Sequence, residues 1–198
     1  MSRNRKREEF MSGKARYRGP NRVVMLIFVL VAAVGIVTAL QLTKDTAPVS
    51  RNWEGGSYNI GYNPDFNGQI ISMTDTKLEL EGESYLFTVD EVEKAKLIFA
   101  RTDYKYQQGN NKAVMAFVSP AGRIVLAMAM CEPCRSERFH IEGNDLVCDT
   151  CGTRWQLADL HGIIGGCVDY PPEELPYVVK NGMLYFDTSD VKEWQPRI

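Results

Sequence analysis

Histidine is almost missing from this sequence: His140 and His161 are the only two among 198 residues. No Gly-rich phosphate loop, no Ser/His/Asp arrangement and no pair of carboxylates at a usable spacing occurs, so hydrolase chemistry finds no support. Neither C-x-x-C step is followed by histidine, since Arg135 and Gly152 stand there, and covalent c-type haem is thereby excluded. Internal repeats and low-complexity stretches are also lacking. With 44% apolar and 24% charged residues, the composition excludes wholesale disorder.

Positive charge is scarce over most of the chain and concentrated at one end. Residues 1–22 carry eight lysines and arginines against Glu8 and Glu9, a net +6; the remaining 176 residues carry fifteen basic and twenty-three acidic side chains, a net −8. Such asymmetry points to a membrane or a nucleic acid near the basic end. The next segment decides between them. From Val23 to Leu40 the chain reads VVMLIFVLVAAVGIVTAL without a charge, and the next charge is Lys44. With Gln41 and Leu42 the run reaches the roughly 20 residues that a spanning helix needs. It has no polar face, which argues against a surface amphipathic helix. The run exceeds the 7–15-residue core of a cleavable signal, although Val37-Thr38-Ala39 is a weak small-x-small exit, so a retained anchor is the preferred reading. Basic residues end at Arg22, directly before the run, and lysines and arginines beside a span stay in the cytoplasm. The expected layout is a basic cytoplasmic tail (1–22), one transmembrane helix (23–42), a linker (43–52) and an extracytoplasmic, β-rich domain (53–198). A nucleic-acid arm is not expected, because the basic tail lacks interleaved aromatics and the span already explains it.

The outer part reads mainly as strand, with little helix. Residues 84–89 and 97–104 are β-rich, the second run leading to a turn at Gln108-Gly109-Asn110-Asn111. Residues 113–118 and 124–130 flank Ser119-Pro120-Ala121-Gly122 as a hairpin that runs straight into Cys131. Residues 177–180 and 183–186 flank Asn181-Gly182, the strongest short hairpin signal. A short helix is expected over 90–96 and one helical turn over 155–160.

All five cysteines lie within 37 residues: Cys131-x-x-Cys134, thirteen intervening residues, Cys148-x-x-Cys151-Gly152, and later Gly165-Gly166-Cys167. A C-x-x-C step on a tight turn brings two thiolates to neighbouring corners of a tetrahedron, and two such knuckles complete a four-sulfur site for zinc or iron. The gap suits knuckles joined by a hairpin over 139–147, and Gly152 supplies a positive φ. The alternative is a disulfide framework or a thiol–disulfide relay, natural outside the cytoplasm, but five is odd and disulfides rarely come as paired C-x-x-C steps.

Residues 110–186 resemble the FtrD-like membrane iron–sulfur proteins, bacterial membrane proteins associated with iron uptake. The resemblance rests on Ser119-Pro120-Ala121-Gly122-Arg123-Ile124 leading into Cys131-x-x-Cys134, and on Leu146-Val147-Cys148-x-x-Cys151-Gly152-x-x-Trp155. It continues through Gly165-Gly166-Cys167 and Leu175-Pro176-Tyr177 to the final hairpin. The C-x-x-C-G-x-x-aromatic element is also similar to the second half of a Rieske motif, with cysteine in place of histidine. The resemblance implies a small metal-binding domain with zinc-ribbon or Rieske-like knuckles, in which Cys131, Cys134, Cys148 and Cys151 hold an iron–sulfur cluster. Cys167 is a fifth candidate ligand. The chain departs from the family just after it, with Val168-Asp169-Tyr170 where an Asn-Pro step is expected. The implied role is a membrane-anchored electron carrier rather than an enzyme, working beside a permease or redox partner of an iron-uptake system.

The export route points elsewhere. Clusters are normally loaded before export, which calls for a twin-arginine signal, and Lys6-Arg7 lies too far from the apolar run to provide one. A chain threaded unfolded takes its metal outside, which suits zinc, so a structural zinc or partner-binding module is the alternative function. His140 and His161 could replace a thiolate or donate to a sulfur, although ordinary loop histidines are expected. Trp155 is expected to pack over the knuckles. Glu173-Glu174, or Asp187 with Asp190, could bind ferrous iron weakly but are expected to be solvated acidic residues.

Overall fold

The structure, a computed structural model, describes residues 56–198 and, before them, positions 21 and 25 alone. The tail, the apolar run at 23–42 and the linker at 43–52 thus lie outside the described residues. Among the described residues no helix is long and apolar enough to cross a membrane.

In chain order the described elements are β1 (Ile70–Ser72), β2 (Thr74–Asp75), β3 (Glu79–Glu81), β4 (Ser84–Thr88), α1 (Val89–Ala95), β5 (Leu97–Lys105), β6 (Asn111–Val118) and β7 (Ile124–Met128). They continue with β8 (Phe139–Glu142), β9 (Asp145–Cys148), β10 (Arg154–Gln156), β11 (Gly162–Ile164), β12 (Val178–Lys180), β13 (Met183–Asp187) and α2 (Thr188–Glu193). The protein is mainly β, as expected. Three sheets form, with strand orders β2-β5-β6-β7, β12-β13-β4-β3 and β1-β8-β9-β10-β11.

The first of these sheets is the middle layer. β6 reads NKAVMAFV and β7 reads IVLAM, and every residue after Asn111 in them is buried. Alternate residues feed two different cores. Val114, Ala116, Val118, Ile124, Leu126 and Met128 join Tyr85, Phe87, Leu184 and Phe186 of the β12-β13-β4-β3 sheet. Ala113, Met115, Phe117, Val125 and Ala127 join Phe139, Ile141, Leu146 and Trp155 of the third sheet. Strands covered on both faces are apolar throughout rather than alternating, which explains the weak period of this stretch.

Local chemistry sets the boundaries. Thr88 caps α1 through a reciprocal box: the Glu91 N–H donates to Thr88 Oγ1 at 3.1 Å and the Thr88 N–H donates to Glu91 Oε2 at 3.0 Å. Asn181 and Gly182 both have positive φ, 52° and 75°, as a two-residue hairpin of the primed type needs. The expected helical turn at 155–160 forms in part: the Leu160 N–H donates to Gln156 O at 2.8 Å, but Trp155 itself is extended. Trp155 pairs with Leu146 across β9 and β10, because only the extended backbone turns its indole into the second core, where it is fully buried. The sequence reading missed α2, a six-residue helix whose N-cap is Asp187.

Candidate metal centre

The Cys131-x-x-Cys134 step follows β7 at its deep end. There the chain turns back on itself: the Cys131 N–H donates to Ser136 O at 2.8 Å, and the Arg135 N–H donates to Cys131 O at 2.7 Å. The second step repeats this plan at the end of β9, where the Cys148 N–H donates to Thr153 O at 3.0 Å and the Gly152 N–H to Cys148 O at 2.9 Å. In each case the residue after the second cysteine is left-handed, Arg135 with φ 58° and Gly152 with φ 68°. Arginine thus holds a position that glycine fills in the partner knuckle, at a steric cost of about 1–2 kcal/mol. The β8–β9 hairpin, pairing Phe139 with Cys148, brings the knuckles face to face.

The four sulfurs of Cys131, Cys134, Cys148 and Cys151 all lie within 4.8 Å of one another. Cys131 Sγ is 3.8 Å from Cys151 Sγ, and Cys134 Sγ is 3.6 Å from Cys148 Sγ. A tetrahedral ion with metal–sulfur bonds of about 2.3 Å separates its thiolates by about 3.8 Å, so these residues fit a metal ion held by four cysteines. Their exposure is unequal: Cys131 and Cys148 are buried, Cys134 is half-buried and Cys151 reaches the surface.

Electrostatics divides the thiols. Cys148 is drawn down to about 4, first by the hydrogen bond from Cys131 and then by the N–H groups of Cys151 and Thr150, against the effect of burial. Cys131, the donor in that pair, is pushed up by giving the bond and by burial. Burial pushes Cys134 up to about 11. Burial would raise Cys151 too, but the hydroxyl and N–H of Thr153 outweigh it and lower the thiol. A thiolate is thus favoured in the group before any cation arrives, and the remaining protons must leave when one binds.

Cys167 is buried and its sulfur is 3.7 Å from Cys151 Sγ, yet it stands outside the group of four. Thr153 holds it there. This fully buried threonine accepts the Cys167 N–H at 3.3 Å, and its Oγ1 lies 3.2 Å from Cys151 Sγ. Gly165 makes the approach possible, since a Cβ there would fall 2.4 Å from Thr153 Oγ1. The Gly-Gly-Cys element is therefore a close-packing device against the second knuckle, and Thr153 is the residue that sequence reading overlooked. The divergent Val168-Asp169-Tyr170 step is used as well: Val168 O accepts the Trp155 indole N–H at 3.2 Å. Trp155 packs against Phe139 in the core that contains Cys131, Cys148 and Cys167, as expected of it.

The other candidates have structural partners. His140 Nδ1 meets Asp149 Oδ1 at 2.6 Å and His161 is exposed; neither joins the sulfur group. Glu174 is bound by Arg123 through two hydrogen bonds, 2.8 and 3.0 Å. Glu173 accepts the Trp194 indole N–H at 2.8 Å, and Asp187 accepts the Ser189 N–H at 2.7 Å as the cap of α2. A further acid went unnoticed in the sequence. Glu132, inside the first C-x-x-C, is fully buried and is clasped by the backbone and guanidinium of Arg197, with Nε–Oε1 at 2.6 Å. Arg135 in turn donates to Ile198 O, so the C-terminal segment is strapped across the first knuckle.

Neither a curated protein nor a solved structure matches the chain. The profile described as membrane iron–sulfur containing protein FtrD-like matches residues 92–198, a stretch that holds both knuckles, Cys167, Trp155 and the strap. That is more than half of the sequence, and the chain belongs to the FtrD-like membrane iron–sulfur family.

Proposed function

We propose that this protein is a membrane-anchored, extracytoplasmic electron carrier in which Cys131, Cys134, Cys148 and Cys151 hold iron, working beside a permease or redox partner of an iron-uptake system. The observation that carries this reading is the sulfur group itself, four thiols within 4.8 Å of one another in a protein of an iron–sulfur family. Bound iron supplies a one-electron ferric/ferrous couple. The residues supply the rest. Two hydrogen-bonded knuckles fix the thiolates, so little rearrangement accompanies a change of charge. Backbone N–H groups aimed at Cys148 favour the negative sulfur. Cys151 carries the site to the surface, where a partner can approach. Residues 23–42 would supply the anchor and the net charge of −8 beyond residue 22 would draw a basic partner.

The same tetrahedral spacing suits zinc, which has no redox chemistry and would make the domain a structural or partner-binding module. The two readings separate on the full-length protein purified in detergent without oxygen. One expects stoichiometric iron and a visible absorption band that bleaches on reduction. Stoichiometric zinc without a visible band would overturn the electron-carrier reading, and a metal-free protein with titratable disulfides would overturn both in favour of a thiol relay.

A further inference from the structure

We infer that the centre is mononuclear: one iron ion bound by four cysteine sulfurs, without inorganic sulfide. This rests on the proposal above that the metal is iron, and it fixes how many irons the site takes.

Two thiolates on a common ion, each at about 2.3 Å, can be no more than about 4.6 Å apart and lie about 3.8 Å apart at a tetrahedral angle. Thiolates on different irons of a cluster are separated by two metal–sulfur bonds and by the iron–iron span between them. In a two-iron cluster with two cysteines on each iron, four of the six sulfur pairs are of this long kind; in a four-iron cluster all six are. Here no pair exceeds 4.8 Å. Two of the pairs, at 3.8 and 3.6 Å, each join one sulfur from either knuckle, so there is no gap between the knuckles for bridging sulfide.

The surroundings oppose widening. Cys148 ends β9 and is held in register with Phe139, while Cys131 follows β7 and is bridged to Ser136; both cysteines are buried in one core. The Glu132–Arg197 pair also ties the first knuckle down, so parting it from the β8–β9 hairpin to admit a second iron would disrupt buried contacts. A lone ferrous ion also removes the conflict with export, because it can enter a folded domain outside the membrane without cluster assembly. Cys167 is then a neighbouring thiol and not a ligand, since four sulfurs already complete the tetrahedron.

The test uses the full-length protein, purified anaerobically, with iron and acid-labile sulfide counted per chain and electrons counted by reductive titration. The expected result is one iron, no labile sulfide, one electron per iron, and a high-spin ferric EPR signal that disappears on reduction. Two or four irons with matching sulfide would overturn the inference while leaving the iron carrier intact. Stoichiometric zinc would overturn the iron reading itself and this inference with it. The Cys167→Ser variant should keep its iron content and spectrum unchanged; loss of iron there would make Cys167 a ligand and overturn the four-sulfur assignment.

Discussion

The first knuckle, around Cys131 and Cys134, and the second, around Cys148 and Cys151, share one hydrogen-bonding plan and one buried cysteine each, but the second is the more open. Cys131 and Glu132 are fully buried, and the C-terminal segment is strapped across them by Arg197 and by the contact between Arg135 and Ile198. Asp149, Thr150, Cys151 and Gly152 are exposed, and the nearby ion pairs of Arg154 with Glu142 and Asp145 lie at the surface. On the proposed reading, one motif would serve two purposes: the more buried copy would couple metal binding to the core, and the open copy would bring a sulfur to where electrons or metal can pass. The backbone chemistry follows the setting: the open knuckle uses glycine for its left-handed residue, whereas the buried one accepts the strain of Arg135 and uses its guanidinium to fasten the strap.

The widest break in this pairing should come from the ligands. Cys131→Ser is expected to abolish metal binding and lower the melting temperature sharply, since it removes a sulfur at the centre of the core. Cys151→Ser should leave a folded domain with three thiolates and a fourth position open to water. Metal retained after dialysis against a chelator, read beside the melting curve, separates the two; equal loss in both variants would show that burial does not distinguish the knuckles.

Next in size is the strap. Arg197→Ala leaves the Glu132 carboxylate buried without its counter-charge, which costs about 3–5 kcal/mol. Arg154→Ala, which removes two surface pairs beside the open knuckle, should cost less than about 1 kcal/mol. Denaturant midpoints measure both. Adding Glu132→Gln to Arg197→Ala should recover part of the loss, because no buried charge is then unpaired.

The smallest effect concerns the backbone. A Cβ at Gly152 would meet nothing within 4 Å, so Gly152→Ala tests the left-handed conformation alone, at about 1–2 kcal/mol. Arg135→Gly relieves the same strain but loses the contact with Ile198, and the net change should stay within about 0.5 kcal/mol. A cost for Arg135→Gly as large as that for Gly152→Ala would mean that the guanidinium matters more than the turn.

Much of the fold was legible because its signals are local. The Asn181-Gly182 hairpin, the capped α1 and the paired C-x-x-C steps each need only a few neighbouring residues to specify a conformation. At 155–160 the local pattern indicated the turn closed by Gln156 and Leu160 but not the strand that holds Trp155. The pairing of Trp155 with Leu146 across β9 and β10 sets the extended backbone there. Of the acidic candidates, Asp187 is exposed as expected, whereas the half-buried Glu173 is engaged by Trp194, a contact that no local pattern shows.

By itself the sequence determined the charge division at the apolar run, the predominance of strand, and four cysteines at a spacing able to close around a metal. Each of these is a property of composition or of short-range pattern. Only the tertiary structure decided that β6 and β7 are covered on both faces, that Thr153 packs between Cys151 and Cys167, and that Glu132 is paired with Arg197. Those outcomes depend on contacts between residues far apart in the chain, 65 positions in the last case. No local pattern records such contacts, because their energies come from burial and packing that exist only once the layers have met.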